Sequence, residues 1–194
     1  KASNYNLLDT SKTTNANISK ADLTATLNDN SKTYDGTSYS GGNGITFNGF
    51  VNGETASLLG GNLVYSGTSQ GAKDAGNYII SGSGLTSNNY NISFVNGKLT
   101  INKKDLTISN ITANNKTYDG TTTATLSNIG TLVGLVTGED LVLNNPTSVI
   151  FSSKDVADGI TVTASGYTIA DKNSFKVSNY NLTHTSKTTT ANIV

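Results

Sequence analysis

The 194-residue chain contains no cysteine, methionine, tryptophan or arginine, and only one proline and one histidine. Without cysteine there is no disulfide, no thiolate nucleophile and no cysteine-ligated metal. With no cysteine and His184 as the sole imidazole, His/Cys metal sites and Cys–His nucleophilic pairs are excluded. Without arginine the bidentate phosphate reader is missing. Thirteen lysines are balanced by thirteen acids at net charge zero, so the concentrated positive surface that nucleic acid requires is missing too. Lysine without arginine, beside abundant asparagine, is also what an AT-rich genome produces. No apolar run approaches 18 residues, so no helical membrane span and no membrane insertion are expected.

What remains is distinctive. Only 35% of residues are hydrophobic, and these are Leu, Ile, Val, Ala, Tyr and a few Phe. Thr, Asn, Ser and Gly fill most of the rest. Thr favours strands, while Asn and Gly favour tight turns. The mixture reads as many short strands joined by turns, an all-β chain with at most one short helix per module.

The chain repeats itself. Lys32-Thr33-Tyr34-Asp35-Gly36-Thr37 returns 84 residues later as Lys116-Thr117-Tyr118-Asp119-Gly120-Thr121. A second phrase occurs three times, around Tyr5, Tyr90 and Tyr180. A period this long is a small domain. Residues 20–102 are expected to form a first module and 103–194 a second. Residues 2–18 match 177–193 at most positions, so 1–19 read as the closing strands of a preceding copy, and any export signal is expected to lie elsewhere. Such a fragment is expected to pair with a neighbouring chain, lie along the first module or project as an arm.

In the first module, strands are expected at Leu23–Leu27, Ile45–Phe47, Leu63–Tyr65, Tyr78–Ile80, Ile92–Phe94 and Leu99–Ile101, with a helical turn within 49–59. In the second they are expected at Leu106–Ile108, Ala124–Leu126, Leu141–Leu143, Val149–Phe151, Ile160–Thr163, Tyr167–Ile169, Phe175–Val177 and Thr190–Val194. Gly134–Glu139 echoes Gly49–Glu54.

Lys-Thr-Tyr-Asp-Gly-Thr, the Gly49–Glu54 segment, Ala75-Gly76-Asn77-Tyr78 and the closing Tyr90–Ile92 and Val95–Ile101 resemble the mostly-β MBG repeat domains of bacterial surface proteins. The second module resembles the related YDG domains. The resemblance implies a tandem of elongated β-sandwich or β-grasp-like modules. It further implies a stalk segment of a filamentous-haemagglutinin-like adhesin, extracellular on a bacterial cell surface, involved in adhesion or biofilm. Neighbouring repeats would be its partners, with host or biofilm glycans or proteins as further ones. The alternative is a carbohydrate- or matrix-binding module, for which the nine tyrosines offer platforms.

Candidate sites reduce to structure. Tyr34-Asp35-Gly36 and Tyr118-Asp119-Gly120 read as turns: Asp bonds its own backbone, Gly supplies positive φ and Tyr anchors the turn on the core. Asp155–Gly159 is the nearest approach to a calcium loop and lacks further ligands in sequence. The two glutamates, Glu54 and Glu139, stand at equivalent positions and read as caps of the following turns. No catalytic residue, metal or cofactor is expected, and no enzyme. A Lys–Asn isopeptide link is compatible with the composition. The five Asn-x-Ser/Thr sequons compare with about seven expected by chance from 26 Asn and 52 Ser plus Thr, so they carry no signal.

The junction carries the last expectation. From Ile18 to Leu23, and from Ile101 to Leu106, the apolar alternation jumps five residues. An odd jump along one extended strand reverses the buried face. The two cores are therefore expected on opposite sides of one continuous strand, with residues 102–105 at a solvated waist, in a stiff rod.

Overall fold

A computed structural model describes all 194 residues. The first module consists of β1 (Ala21–Leu27), β2 (Asn30–Thr33), β3 (Ile45–Asn48), β4 (Gly60–Ser66), β5 (Gly76–Thr86), β6 (Tyr90–Val95) and β7 (Gly97–Asn102). The second consists of β8 (Lys104–Ser109), β9 (Thr112–Ala113), β10 (Leu126–Asn128), β11 (Thr131–Val133), β12 (Val142–Leu143), β13 (Ser148–Phe151), β14 (Ala157–Ser165), β15 (Ile169–Ala170), β16 (Tyr180–Leu182) and β17 (Ser186–Ile193). The only helical pieces are three-residue 3-10 turns at Ala2–Asn4, Ala56–Leu58 and Val177–Asn179. The chain is all-β, in several small sheets.

Both modules use one plan. The opening strand is central in a three-stranded sheet, antiparallel to one neighbour and parallel to the other. β1 lies between β3 and β6, and β8 lies between β11 and β16. The closing strand sits in a second sheet. β7 pairs with β2 in parallel and with β5 antiparallel, and β5 pairs with β4. β17 pairs with β14, which pairs with β13, and a parallel bridge between Lys116 and Ile193 stands where β2 stood. β9 with β10 and β12 with β15 make two small ribbons.

Only Lys103 separates β7 from β8, so one nearly continuous strand serves the middle of a sheet in each module. Its buried face changes at the crossing. Gly97, Leu99 and Ile101 are buried in β7, then Leu106 and Ile108 in β8. Asn102, Lys103 and Asp105 are exposed as expected. The separation of cores needs correction, however. Leu27, Ile80, Leu99 and Ile101 of the first module join Leu106, Leu141 and Tyr180 of the second in one apolar cluster, with Tyr34 and Ala72. The junction is an extension of the core. Two smaller clusters, around Val162 and Phe151 and around Ile108 and Tyr167, complete the second module.

Most expected strands are present, several longer than their apolar runs. β5 runs 11 residues because Ser and Gly continue the ladder beyond Ile80. Three expectations fail in the second module. Phe175–Val177 is not a strand: Lys172 to Phe175 closes a tight turn through Asn173 at φ 56°, and the Val177 N–H is taken by the Asp171 carboxylate at 2.7 Å. The strand expected at Ala124–Leu126 begins only at Leu126, and Tyr167 precedes its strand after Gly166 at φ 79°. β2, β9, β11 and β16 were not expected, because short strands with polar positions show no period. Residues 1–19 are exposed throughout, Ile18 completely, and no hydrogen bond ties them to either module.

Candidate functional site at the module junction

The repeated hexapeptide folds into a closed turn. The Asp35 carboxylate accepts from the Thr37 N–H at 2.9 Å, the Thr37 hydroxyl at 2.7 Å and Lys32 Nζ at 2.7 Å. Lys32 also donates to the Thr37 carbonyl at 3.2 Å, and Gly36 sits at φ 75°. Asp119 repeats this with the Thr121 N–H at 2.9 Å, the Thr121 hydroxyl at 2.8 Å and Lys116 Nζ at 2.6 Å, with Gly120 at φ 77°. Lys32 holds the Asp35 carboxyl down at about 2, and Lys116 does the same for Asp119.

The anchoring of the tyrosines departs from expectation. Tyr34 is 3% exposed, but its hydroxyl crosses to the second module and donates to Glu139 Oε1 at 2.6 Å. Its ring meets Tyr180 edge to face, centroids 5.4 Å apart. Tyr118, the same residue in the other copy, is 50% exposed; its backbone N–H donates to the Val194 carbonyl at 2.8 Å, but its ring lies in none of the three buried apolar clusters. Asp35 and Gly36 lie beside the junction, whereas Asp119 and Gly120 lie with Tyr118 at the far end of the second module. A Cβ on Gly36 would stand 3.1 Å from Val136 Cγ1 and 3.2 Å from Glu139 Oε1, while one on Gly120 would meet nothing.

Glu139 is the centre of the site. It is carried on the Gly134–Glu139 loop, closed by a Glu139 N–H to Val136 carbonyl bond at 2.9 Å. Gly134 brings that loop against the opening strand, where any Cβ would collide with the Asp105 carbonyl at 2.7 Å. Tyr180 accepts from the Val136 N–H at 3.1 Å and donates to Glu139 Oε2 at 2.7 Å. One carboxylate thus holds a phenol from each module. The glutamates are not turn caps; they are tyrosine acceptors. The first module builds half of this arrangement: Tyr90 donates to Glu54 Oε2 and accepts from the Val51 N–H at 3.1 Å.

A second clasp lies beside the first. Buried Asn179 accepts from the Ala75 N–H at 2.7 Å and donates to Asp74 Oδ1 at 2.9 Å. Lys176 donates to Asp74 Oδ2 at 2.8 Å. Lys176 and Asn179 hold the Asp74 carboxyl below its ordinary value.

The chemistry of the site is that of a clamp. Burial, then the Glu139 carboxylate, pushes the Tyr34 phenol well above its ordinary range. Burial likewise pushes Tyr180 up to about 12 against the opposing Val136 N–H, with Glu139 adding to the rise. Both phenols hold their protons more tightly than usual, the reverse of what an activated nucleophile requires. Asp155, in the segment nearest a calcium loop, is bonded to Ser153 and Lys154. Glu139, Asn179 and Asp74 were not foreseen as site residues. The available signal was the recurrence of the only two glutamates with a Tyr-Asn pair in both modules.

Residues 23–100 match the family model described as MBG domain (YGX type), and residues 102–190 match the family model described as YDG domain. No curated protein matches the chain.

Proposed function

The chain belongs to the MBG and YDG domain families, one YGX-type MBG domain followed directly by one YDG domain, and on that premise we propose that it is a non-catalytic spacer segment of a bacterial cell-surface fibrillar adhesin. In this role it extends a binding region from the cell and transmits force along the array during adhesion or biofilm growth. Its working partners are neighbouring modules. The observation that carries the reading is the junction: Tyr34 and Asp74 of one module are held by Glu139 and Asn179 of the next, beside a continuous strand. Two side-chain clasps and a shared apolar cluster oppose bending between modules, as a stalk needs and as a flexible linker does not provide. Hydrogen bonds to a charged group contribute roughly 1.5–3 kcal/mol each.

Small-angle scattering of the chain tests this. A single narrow distribution of inter-module angles is expected, and a broad one refutes the spacer reading. A glycan array is the complementary measurement: sub-millimolar binding to a sugar would replace the reading with that of a carbohydrate-binding module.

A further inference from the structure

The junction is made of two half-sites, and a second copy of each stands exposed elsewhere in these 194 residues. At the far end of the second module, Tyr118 and Gly120 repeat Tyr34 and Gly36. The sheet register extends the match: Gly76 pairs with Ile101, and Ala157 pairs with Ile193, the equivalent of Ile101. Asp155 and Val156 therefore occupy the places of Asp74 and Ala75. At the start of the first module, Glu54, Val51 and Asn89 occupy the places of Glu139, Val136 and Asn179. Tyr90 and Tyr180 fix this equivalence, each paired at the start of its module's opening strand.

Exposure separates the half-sites that meet at the internal junction from their second copies. Tyr34 is 3% exposed and Tyr118 50%; Asn179 is buried and Asn89 exposed. Val136 and Ala75 are partly buried, while their counterparts Val51 and Val156 are 48% and 62% exposed. Glu54 Oε2 accepts from Tyr90, and no protein group donates to Oε1. Beside it lies a cavity of about 310 Å³ lined by Val51, Glu54, Asn89 and Tyr90.

We propose that the chain is self-complementary end to end: the Tyr118–Asp155 face of one copy docks on the Glu54–Asn89 face of a second copy. The bonds are those of the internal junction. Tyr118 donates to Glu54 Oε1, Gly120 lies against Val51, and Asn89 donates to Asp155 while accepting from the Val156 N–H. The contact is heterologous, so it propagates into open chains and not closed dimers. It is weaker than its internal template, because Thr86 stands four residues before Tyr90 where Lys176 stands before Tyr180. Ile18 and Ser19 rim the cavity, but residues 1–19 hold no hydrogen bond to either module and can leave it. The inference rests on the repeated geometry and stands whether or not the chain is displayed on a cell.

Sedimentation equilibrium of the full chain up to millimolar concentration tests it. The weight-average mass is expected to rise past the dimer without a plateau. Glu54→Gln and Tyr118→Phe should each weaken association by about tenfold or more. An equimolar mixture of the two variants should recover affinity but stop at dimers, since each retains one working face. Asp155→Asn, on an exposed loop, gives a loss independent of any effect of Glu54→Gln on folding. A wild-type chain that stays monomeric overturns the proposal. So does association unchanged in all three variants, the result expected if residues 2–18 of one copy displaced their near-copy 177–193 in another.

Discussion

Two six-residue segments of this chain are identical in sequence and fold into the same turn, with the same aspartate-centred hydrogen bonds. Yet Tyr34 of one is buried and Tyr118 of the other is half in water. The turn is local and travels with the sequence. The tyrosine's environment does not, because it is supplied by a module some hundred residues away. Within these 194 residues the motif is thus buried in one copy and half-exposed in the other, and the difference should appear as a difference in energy.

The largest expected effect sets Tyr34→Ala against Tyr118→Ala. Removing a buried aromatic ring costs about 3–5 kcal/mol, and here a hydrogen bond to Glu139 goes with it. The half-exposed ring should cost under about 1 kcal/mol. Urea unfolding of both variants measures the gap, and equal losses would break the comparison. Asn179→Ala against Asn89→Ala is the next test. Asn179→Ala leaves the Ala75 N–H without its acceptor and Asp74 with Lys176 alone, so about 1–3 kcal/mol should be lost. Asn89 is exposed, and its loss should stay within about 0.5 kcal/mol.

Alkaline pH sharpens the same contrast. The Tyr34 and Tyr180 phenols titrate above their ordinary value in the folded chain, Tyr180 at about 12. A group whose folded pKa is raised contributes stability that is whole below its unfolded pKa and is lost as pH climbs to the folded one. Stability should therefore fall between about pH 10 and pH 12. Tyr34→Phe removes one of the four phenols held above their ordinary value, the others being Tyr90, Tyr167 and Tyr180, so the fall should be shallower in that variant. Chemical denaturation across this range decides it.

The sequence showed the fold unevenly, and for physical reasons. Leu23, Ala25 and Leu27, or Leu99 and Ile101, announce their strands because alternation records a buried face. β2 is Asn-Ser-Lys-Thr and records none; its place is set by β7 alone. The face reversal between Ile101 and Leu106 was legible because parity along one strand is arithmetic. The fusion of the two cores was not, because Tyr34, Ala72, Leu141 and Tyr180 meet from separate strands and loops. The turns of the site were readable from Asp-Gly. The clamp was visible only as two lone glutamates recurring in step, a sign of a shared role without its chemistry.

The smallest expected effect concerns the turns themselves, where the two copies should agree. Lys32 and Lys116 hold Asp35 and Asp119 at about 2, below the ordinary carboxylate value. A depressed folded pKa gives stability that is present above the unfolded pKa and lost as pH falls through the folded one. The window thus runs from about pH 4 down to about pH 2. Both carboxylates are more than half open to water, at 51% and 55% side-chain exposure, so the pairing with lysine is largely screened and the loss is modest. Asp35→Asn and Asp119→Asn should each remove the same small share of the acid sensitivity, read as the shift in urea midpoint between pH 7 and pH 2. Equal shifts would show that the turn is energetically self-contained and that only the tyrosine senses the neighbouring module. A clearly larger shift for Asp35→Asn would mean that the turn and the clamp are coupled, through Gly36 against Val136, and that the division between local turn and borrowed environment is wrong.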